Sequence, residues 1–555
     1  MYKPEKPYSD YAILDLSRPK PRQQLIDMVC AEEHVSVGGT PYAALDTLFK
    51  HAGLRSAIVE SEYVDVDHSH SYARFYARSF QDHQKRATRV HFFSCKLTRP
   101  DLARLGTFKD DYLGYMVVRP LRIRRIGRTA LRPPNSATSH FHFPTIAHAA
   151  TANIAGFSLT VPAVPFVEQD ARVSACASAA IWMATAPTVR RFSLQPRTTA
   201  EITEFATEID IGSRLVQSEG LTPDQMLRAL RHMGYEPMKI GFKDQFDAMS
   251  TIYPYVESGV APVLLLRLLN GFHTVACTGH TYDPARSVAD PVDYQWTGTA
   301  PIKVWRSWQW VPEFIVHDDQ RGPYRLLRFL STTELLGYLS GLGVDPAKLS
   351  PAEWRCPVLI EHDYSQSPAG HPADFPKFTI AGLLGAVVPT PAGVSLSAAE
   401  AEEKVARVIQ VWAQAMNTAL PDYLHLRTYL ASSNEFKARV VGATEMHPFA
   451  QRTYLGKGLP HWLWVTEVAL RDEVVTSDPL DARIRGEILV DANSSPWLPD
   501  FVALHLPRFS GGAPTKAGYI TMMSHADKDV AKALDRKSWA LGGEVPYPRF
   551  TREWS

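Results

Sequence analysis

Residues 164–184 read Val-Pro-Phe-Val-Glu-Gln-Asp-Ala-Arg-Val-Ser-Ala-Cys-Ala-Ser-Ala-Ala-Ile-Trp-Met-Ala. An apolar run ends at Gln169, a polar loop follows, and the small and apolar residues from Cys176 onwards predict a buried helix. Cys176 would then lie at the positive end of the helix dipole, where free first-turn N–H groups favour the thiolate. Cys176 is therefore a candidate nucleophile, and the Gln169 side-chain amide and the Cys176 N–H could stabilise an oxyanion. The alternative is that Cys176 is a small buried hydrophobic residue, as most single cysteines are.

In this order of residues the chain resembles a papain-like cysteine peptidase. It is most similar to the bacteriocin-leader-processing type, in which a Gln, a short loop, a Cys, a small residue and an apolar helix follow one another. Ala177 stands where that type usually has Gly, and the loop before Cys176 is longer by one residue. The resemblance covers residues 160–330 only.

A capped helix follows the cysteine segment. Residues 220–235 read Gly-Leu-Thr-Pro-Asp-Gln-Met-Leu-Arg-Ala-Leu-Arg-His-Met-Gly-Tyr. Thr222 is the predicted N-cap, Pro223 takes the first helical position, Gln225 completes a capping box and Gly234 ends the helix. This pattern resembles the region between the cysteine and the histidine in the same peptidase type, although any capped amphipathic helix would share it.

The resemblance also identifies a general base. Residues 271–280 read Gly-Phe-His-Thr-Val-Ala-Cys-Thr-Gly-His, which predicts an apolar strand that begins near His273 and ends in a glycine turn. A papain-like enzyme needs a base that meets the cysteine in space rather than in sequence, and His273 matches that position. His280 is a weaker candidate because it follows the predicted turn, and Cys277 is expected to be a core residue.

A third group should orient the imidazole and stabilise its charged form. Residues 314–324 read Phe-Ile-Val-His-Asp-Asp-Gln-Arg-Gly-Pro-Tyr, a strand that ends in acid before a glycine turn. This resembles the peptidase pattern of apolar strand, Asn-Asp-Pro and glycine, and places Asp318 at the orienting position. His317 and Asp319 replace the Asn and the Pro, so Asp319 stays an alternative, as does a simple acidic turn.

The resemblance implies an α+β fold with a papain-like peptidase domain that has a helical half with the nucleophile helix and an antiparallel β half. We place this domain at residues 151–345, between the break in the pattern at residues 133–136 and the proline-containing residues 341–354. Mixed α/β domains at residues 1–150 and 346–555 flank it and would select substrate or regulate. The implied catalytic residues are Cys176, His273, Asp318 and Gln169.

The implied activity is that of a cysteine peptidase that cleaves an amide bond through a thioacyl-enzyme, on a dedicated protein or peptide substrate and without a metal or organic cofactor. Water or another amine could release the acyl group. A catalytically inactive scaffold for protein interactions, and an amidase or acyltransferase for a small peptide, are the alternatives.

The composition limits the number of domains, the classes of binding partner and the cellular compartment that we expect. The 555 residues suggest about three or four domains. The 59 Lys and Arg residues against 58 Asp and Glu residues leave a net charge of +1, which favours neither nucleic acid nor an anionic membrane as partner. We expect no secretory signal in residues 1–7 and no membrane span, because the longest apolar stretch contains Arg267. The five widely spaced cysteines indicate a reducing compartment, so we predict a cytoplasmic protein.

Three other stretches carry residues suited to binding. Residues 65–70 read Asp-Val-Asp-His-Ser-His, and His140 and His142 are two apart; either could present metal ligands, but exposed strand or loop explains both. The arginine-rich residues 121–132 could clamp a phosphate or carboxylate, although a solvated strand and turn is expected. We therefore predict no metal site.

Helices are also predicted over residues 40–53, 201–217 and 398–419, and strands over 357–361 and 488–491. Trp462 and Trp464 are expected to pack inward.

Overall fold

The structure is a computed structural model. It contains helices and several β-sheets, one of which closes into a barrel. The mixture of helix and strand predicted from the sequence is confirmed. The structure describes residues 11–30, 44–45, 47–51, 53–78, 83–134, 140–142, 150–170, 176–208, 220–288, 290–294, 302–361, 377–415, 419–443, 445–446, 448–475, 483–496, 501–510, 513–523, 539–541 and 547–548.

The N-terminal part forms a five-stranded antiparallel sheet. In spatial order its strands are β1 (Tyr11–Asp15), β2 (Ser56–Tyr63), β3 (Ala87–Phe93), β4 (Tyr112–Val118) and β5 (Ile126–Leu131). Helices α1 (Pro19–Val29) and α2 (Val66–Arg74) accompany it. Side chains alternate along β3, so that Val90 and Phe92 face one core while Phe93 faces another.

A hairpin covers the second of these cores. The hairpin strands are β7 (Ala150–Ile154) and β8 (Phe157–Val161), and the short strand β6 (His140–His142) precedes them. Ala152 and Leu159 are buried against Phe93 of the N-terminal sheet. The boundary predicted at residue 150 therefore separates this hairpin from the sheet on which it packs.

Four helices follow: α3 (Cys176–Thr185), α4 (Thr199–Thr207), α5 (Pro223–His232) and α6 (Gln245–Glu257). The predicted cap of α5 is confirmed: Gln225 N–H donates to Thr222 Oγ1 at 3.3 Å, and Thr222 N–H donates to Gln225 Oε1 at 2.9 Å. Gly234 has a φ of 93°, which ends the helix in the left-handed region.

Six antiparallel strands then form the barrel. They pair in the order β10 (Val263–Leu268), β11 (Gly271–Tyr282), β14 (Phe314–Asp318), β15 (Gly322–Phe329), β16 (Pro357–Glu361) and β17 (Phe378–Val388), and β17 pairs back with β10. Strand β9 (Met238–Gly241) pairs antiparallel with the end of β17, and β6 pairs with β11. Since β16 and β17 come after residue 345, the predicted boundary at that residue runs through the barrel.

The rest of the chain forms a second large sheet. Its order is β12 (Val292–Tyr294), β13 (Ile302–Arg306), β18 (Leu424–Ser432), β19 (Trp462–Leu470), β21 (Gly486–Asp491), β22 (Ala503–Ser510), β23 (Ala513–Met523) and β24 (Trp539–Leu541), with β20 (Arg483–Ile484) and β25 (Tyr547–Pro548) paired separately. The helices here are α8 (Ala398–Ala415), α9 (Ser433–Gly442), α10 (Pro448–Gly456) and α11 (Arg471–Val474), whereas α7 (Thr332–Gly341) lies between β15 and β16 and packs on the barrel. Trp462 and Trp464 are buried, as predicted.

The structure corrects two local predictions. Residues 66–74 form helix α2, with Asp65 as its N-cap, where a strand or loop was expected. Strand β11 continues through Gly279, which lies at a bulge in the pairing with β14 instead of a turn. Of the predicted helix over residues 40–53, residues 44–45 and 47–51 are helical, the latter as a π-helix (Thr47–His51), while residues 40–43, 46 and 52 lie outside the described residues. The second half of the helix predicted over 201–217 also lies outside them. Throughout the described ranges, no helix combines the length and hydrophobicity needed to cross a bilayer.

Candidate active site

Cys176 is the first residue of α3, at the end of the helix where the sequence places it. The small residues of this helix allow it to pack closely between the N-terminal sheet and the barrel, where Ala177, Ala180 and Ala276 share one core. Ser178 shares a hydrogen bond of 2.9 Å with Thr203 of α4, which joins the two helices. The nucleophile candidate therefore stands on a rigid element and is itself half-buried.

His273 and Asp318 meet at one end of the barrel. His273 lies near the start of β11 and Asp318 ends the adjacent strand β14, and both are buried. The imidazole Nε2 lies 3.0 Å from Asp318 Oδ1. The same carboxylate oxygen accepts the backbone N–H of Gln320 at 2.9 Å, and Arg321 N–H closes the turn onto Asp318 O at 3.0 Å. Asp318 is thus held in place while it orients the imidazole.

The electrostatics of the site favour a thiolate and an imidazolium. Burial raises the pKa of Cys176, but hydrogen bonding with His273, the charge of His273 and polar groups of Thr274 outweigh it, and the net pKa lies below the ordinary thiol value. Burial lowers the pKa of His273, but the charge and hydrogen bond of Asp318, with contributions from Cys176 and Asp319, hold it well above the ordinary value. Nε2 is engaged by Asp318, so Nδ1, which Gln320 Nε2 approaches at 3.4 Å, is the nitrogen on the side of the ring away from the acid. We assign to it the exchange of a proton with Cys176.

The other cysteines contrast with Cys176. All five cysteines are free. Burial is the main cause that raises the pKa of each of the other thiols: Cys30 to about 12, Cys95 and Cys356 to about 11, and Cys277 further. Cys277 is fully buried in the core, as expected. Cys176 alone has the electrostatic environment of a reactive thiol.

Asp319 is a second acid next to the same imidazole, but its contacts differ. Its Oδ1 lies 3.7 Å from His273 Nε2, and neither carboxylate oxygen has a hydrogen-bond partner among the described residues. Burial raises the pKa of Asp319 well above its ordinary value, and the negative charges of Cys176 and Asp318 add to the effect against His273 and Arg124. The geometry therefore favours Asp318 as the orienting group, and the raised pKa of Asp319 favours the protonated form of this second acid.

Gln169 is half-buried between two buried acids, Glu168 and Asp170. Its side chain has no hydrogen bond within the residues that the structure describes, and residues 171–175, which link it to Cys176, lie outside them. The oxyanion role of Gln169 therefore stays a prediction.

The remaining histidine candidates have structural contacts. His280 Nε2 bonds to Glu257 at 2.7 Å, and the same carboxylate accepts a hydrogen bond from Arg427 Nε at 2.8 Å. Burial lowers the pKa of His317 to about 3. Its ring makes T-shaped contacts with the rings of Phe166 and Tyr324, at centroid distances of 5.6 and 4.7 Å. Neither histidine contacts the thiol in the described structure.

The stretch at residues 65–70 anchors a helix. Asp65 Oδ1 accepts the His68 N–H and its Oδ2 accepts from Arg128 at 2.7 Å. Asp67 accepts the N–H of Thr199, the first residue of α4, at 2.9 Å, and His70 Nδ1 lies 2.7 Å from Thr198 Oγ1. Asp65 thus caps α2 and joins it to β5, and Asp67 joins α2 to α4, which explains their pattern without a metal. The side chains of His140 and His142 are outside the described part of the structure.

The prediction of a solvated arginine stretch is wrong at its centre. Arg124 is buried, and its Nη1 lies 3.6 Å from Glu168 Oε1. Arg128 pairs with the buried Asp65. These guanidinium groups bind carboxylates of the protein itself, because a buried charge needs a partner.

Sequence reasoning missed Gln320. Its side-chain Nε2 lies 3.4 Å from His273 Nδ1, on the side of the ring left for the thiol. The only signal was its place two residues after Asp318, inside the turn that closes on that acid. Its backbone N–H then supports Asp318 while its amide faces the imidazole.

One group of possible metal ligands occurs among the described residues. His273, Asp318 and Asp319 each offer a ligand atom within 4.8 Å of the others. His and carboxylate ligands suit Zn²⁺. A cation there would replace the hydrogen bond between His273 and Asp318, so metal binding and a thiolate–imidazolium pair exclude each other.

Searches of protein-family models and of curated proteins return no match to this chain.

Proposed function

We propose that the protein is a papain-like cysteine peptidase that cleaves an amide bond of a protein or peptide through a thioacyl-enzyme. The observation that carries the proposal is the hydrogen bonding of Cys176 with His273 and of the buried His273 with the buried Asp318, with the pKa of the thiol lowered and that of the imidazole raised. Strongly shifted groups of this kind cluster at catalytic sites. The five free cysteines fit a reducing compartment, and we place the protein in the cytoplasm.

In the proposed reaction the Cys176 thiolate attacks the carbonyl carbon of the amide. The negative charge moves to the carbonyl oxygen, which the Cys176 N–H and Gln169 stabilise. His273 then gives its Nδ1 proton to the leaving amine as the C–N bond breaks. Asp318 holds the ring orientation and stabilises the imidazolium.

Release of the acyl group uses the same residues in reverse. His273 Nδ1 accepts a proton from water, the hydroxide attacks the thioester, and the C–S bond breaks to give the acid and the free thiol. An amine in place of water would make the protein an acyltransferase. The N-terminal and C-terminal regions would select between these acceptors and choose the substrate.

The test is alkylation of the purified protein with iodoacetamide between pH 5 and 9, with the modified cysteine located by mass spectrometry. Cys176 is expected to react first and to keep reacting below the ordinary thiol range, and His273→Ala is expected to abolish that low-pH reactivity. A matched control is His280→Ala, which removes a buried histidine that is bonded to Glu257.

Two outcomes would contradict the proposal. Slow labelling shared among the cysteines, unaffected by His273→Ala, would leave a scaffold without a reactive thiol. Cys176 reactivity that appears only after EDTA treatment would show a resident metal at His273, Asp318 and Asp319 instead of a triad.

A further inference from the structure

The N-terminal sheet holds the segment that leads to the candidate nucleophile. Phe166 exchanges two backbone hydrogen bonds of 2.8 Å with Thr129 of β5. Glu168 N–H donates to Ile126 O at 3.1 Å, and Ile126 N–H donates to Glu168 Oε2 at 3.0 Å. The segment is thus attached to β5 by a β-bridge at Phe166 and by the hydrogen bonds of Glu168, the residue before Gln169.

Two buried arginines reinforce this attachment. Arg119 Nη2 donates to the carbonyl oxygens of Glu168, at 3.0 Å, and of Arg124. Arg124 places its guanidinium 3.6 Å from Glu168 Oε1, and both side chains are buried. The φ of Arg124 is 56°, in the left-handed region that a residue with a side chain rarely adopts. The strained backbone conformation at Arg124 directs its positively charged guanidinium group towards Glu168.

The residue on the other side of Gln169 is fixed by a different element. The hydroxyl of Tyr76, which follows α2, donates a hydrogen bond to Asp170 Oδ2. Tyr76 and Asp170 are both buried. Gln169 therefore stands between two anchored neighbours and is itself half-buried without a hydrogen bond to any described residue.

We propose that Arg119, Arg124 and Tyr76 are positioning residues that set Gln169 as an oxyanion donor by fixing Glu168 and Asp170. The N-terminal sheet is then part of the active site and is not a separate regulatory module. The physical reason is that an oxyanion donor is effective only when its supporting shell holds it in place before the reaction. This inference rests on the proposed function.

Two reagents separate oxyanion stabilisation from thiolate formation. p-Nitrophenyl acetate acylates Cys176: the bond from Sγ to the acetyl carbon forms, the carbonyl oxygen takes the charge, and p-nitrophenolate leaves as its C–O bond breaks. Iodoacetamide alkylates the same thiolate by displacing iodide and forms no oxyanion. The ratio of acylation to alkylation rates of Cys176 therefore measures oxyanion stabilisation independently of the thiolate fraction.

The key variant combines Tyr76→Phe with Arg124→Met in the full chain. We expect Gln169→Ala to lower the ratio by about 100-fold and the combined variant to lower it by at least about tenfold. Adding Gln169→Ala to the combined variant should give no lower ratio than Gln169→Ala alone, because all three changes act on one donor. Tyr63→Phe is the matched control, since its hydroxyl contacts Arg89 in the same sheet at 3.2 Å, and it should leave the ratio unchanged.

Several results would overturn the inference. The first is that the combined variant keeps the wild-type ratio of acylation to alkylation rates. The second is that adding Gln169→Ala to the combined variant lowers this ratio further, by the product of the two separate effects. The third is that the alkylation rate of the combined variant falls as much as its acylation rate. If the combined variant does not fold, Tyr76→Phe alone, which removes one oxygen atom, must lower the ratio while Tyr63→Phe does not. A wild-type ratio equal to that of free cysteine would instead refute the oxyanion site itself, and absent low-pH alkylation would refute the proposed function.

Discussion

Asp318→Asn is expected to lower the alkylation rate of Cys176 at pH 6 by about 10- to 150-fold. Asp318 Oδ1 lies 3.0 Å from His273 Nε2, and both side chains are buried, so solvent screens their interaction little. A hydrogen bond to a charged group contributes about 1.5–3 kcal/mol, and each 1.36 kcal/mol is a factor of ten. Losing the charge destabilises the imidazolium and hence the thiolate paired with it.

The assay is the pseudo-first-order rate of iodoacetamide labelling, followed by mass spectrometry of the Cys176 peptide at several pH values. Asp319→Asn is the matched control: the same substitution one residue later removes a carboxyl group that is 3.7 Å from the ring and has no hydrogen-bond partner among the described residues. It should change the rate less than about threefold, because no charged hydrogen bond is lost.

The two substitutions together decide which acid orients the imidazole. A larger effect from Asp319→Asn than from Asp318→Asn would refute the assignment and make Asp319 the orienting group. No effect from either would refute the thiolate–imidazolium pair.

Two predictions concern stability. The folded-state pKa of Asp319 is raised, so its favourable contribution is complete below the unfolded pKa and is lost as pH rises through the folded value. Urea unfolding should therefore show Asp319→Asn gaining about 1–3 kcal/mol on the wild type between pH 4 and pH 8, and a constant difference would contradict this. Arg427 lies between the buried carboxylates of Glu257 and Glu467, at 3.0 Å from the latter, so Arg427→Ala removes the positive charge that pairs with both and should cost about 3–5 kcal/mol of unfolding free energy. Arg328→Ala, which removes a more exposed pair with Glu334, should cost less than about 1 kcal/mol in the same denaturation experiment, and equal losses would refute the distinction.

Local patterns in the sequence were sufficient for the elements that carry the candidate site. The apolar run from Cys176 predicted helix α3, the Thr222 and Gln225 pair predicted the cap of α5, and the apolar residues before Asp318 predicted a strand that ends in acid. These features depend on neighbours within a few residues, because caps and periodicity act over one or two turns. The prediction that β11 ends in a turn at Gly279 was wrong, because glycine occurs at bulges as well as at turns and the sequence does not distinguish the two.

The tertiary structure decided what depends on contacts between distant segments. Closure of the barrel by β10 and β17 crosses the boundary that composition predicted at residue 345. The choice between Asp318 and Asp319 follows from the turn that aims one of two adjacent acids at His273.

The burial of Arg124 against Glu168 likewise follows from the docking of residues 166–170 on β5. Periodicity shows which side chains need burial or a partner, but it does not show which distant segment supplies either. By itself, the sequence determined the local elements and the residue types suited to thiol chemistry, and only the tertiary structure determined which of those residues meet, because strand pairing and buried ion pairs join segments far apart in the chain.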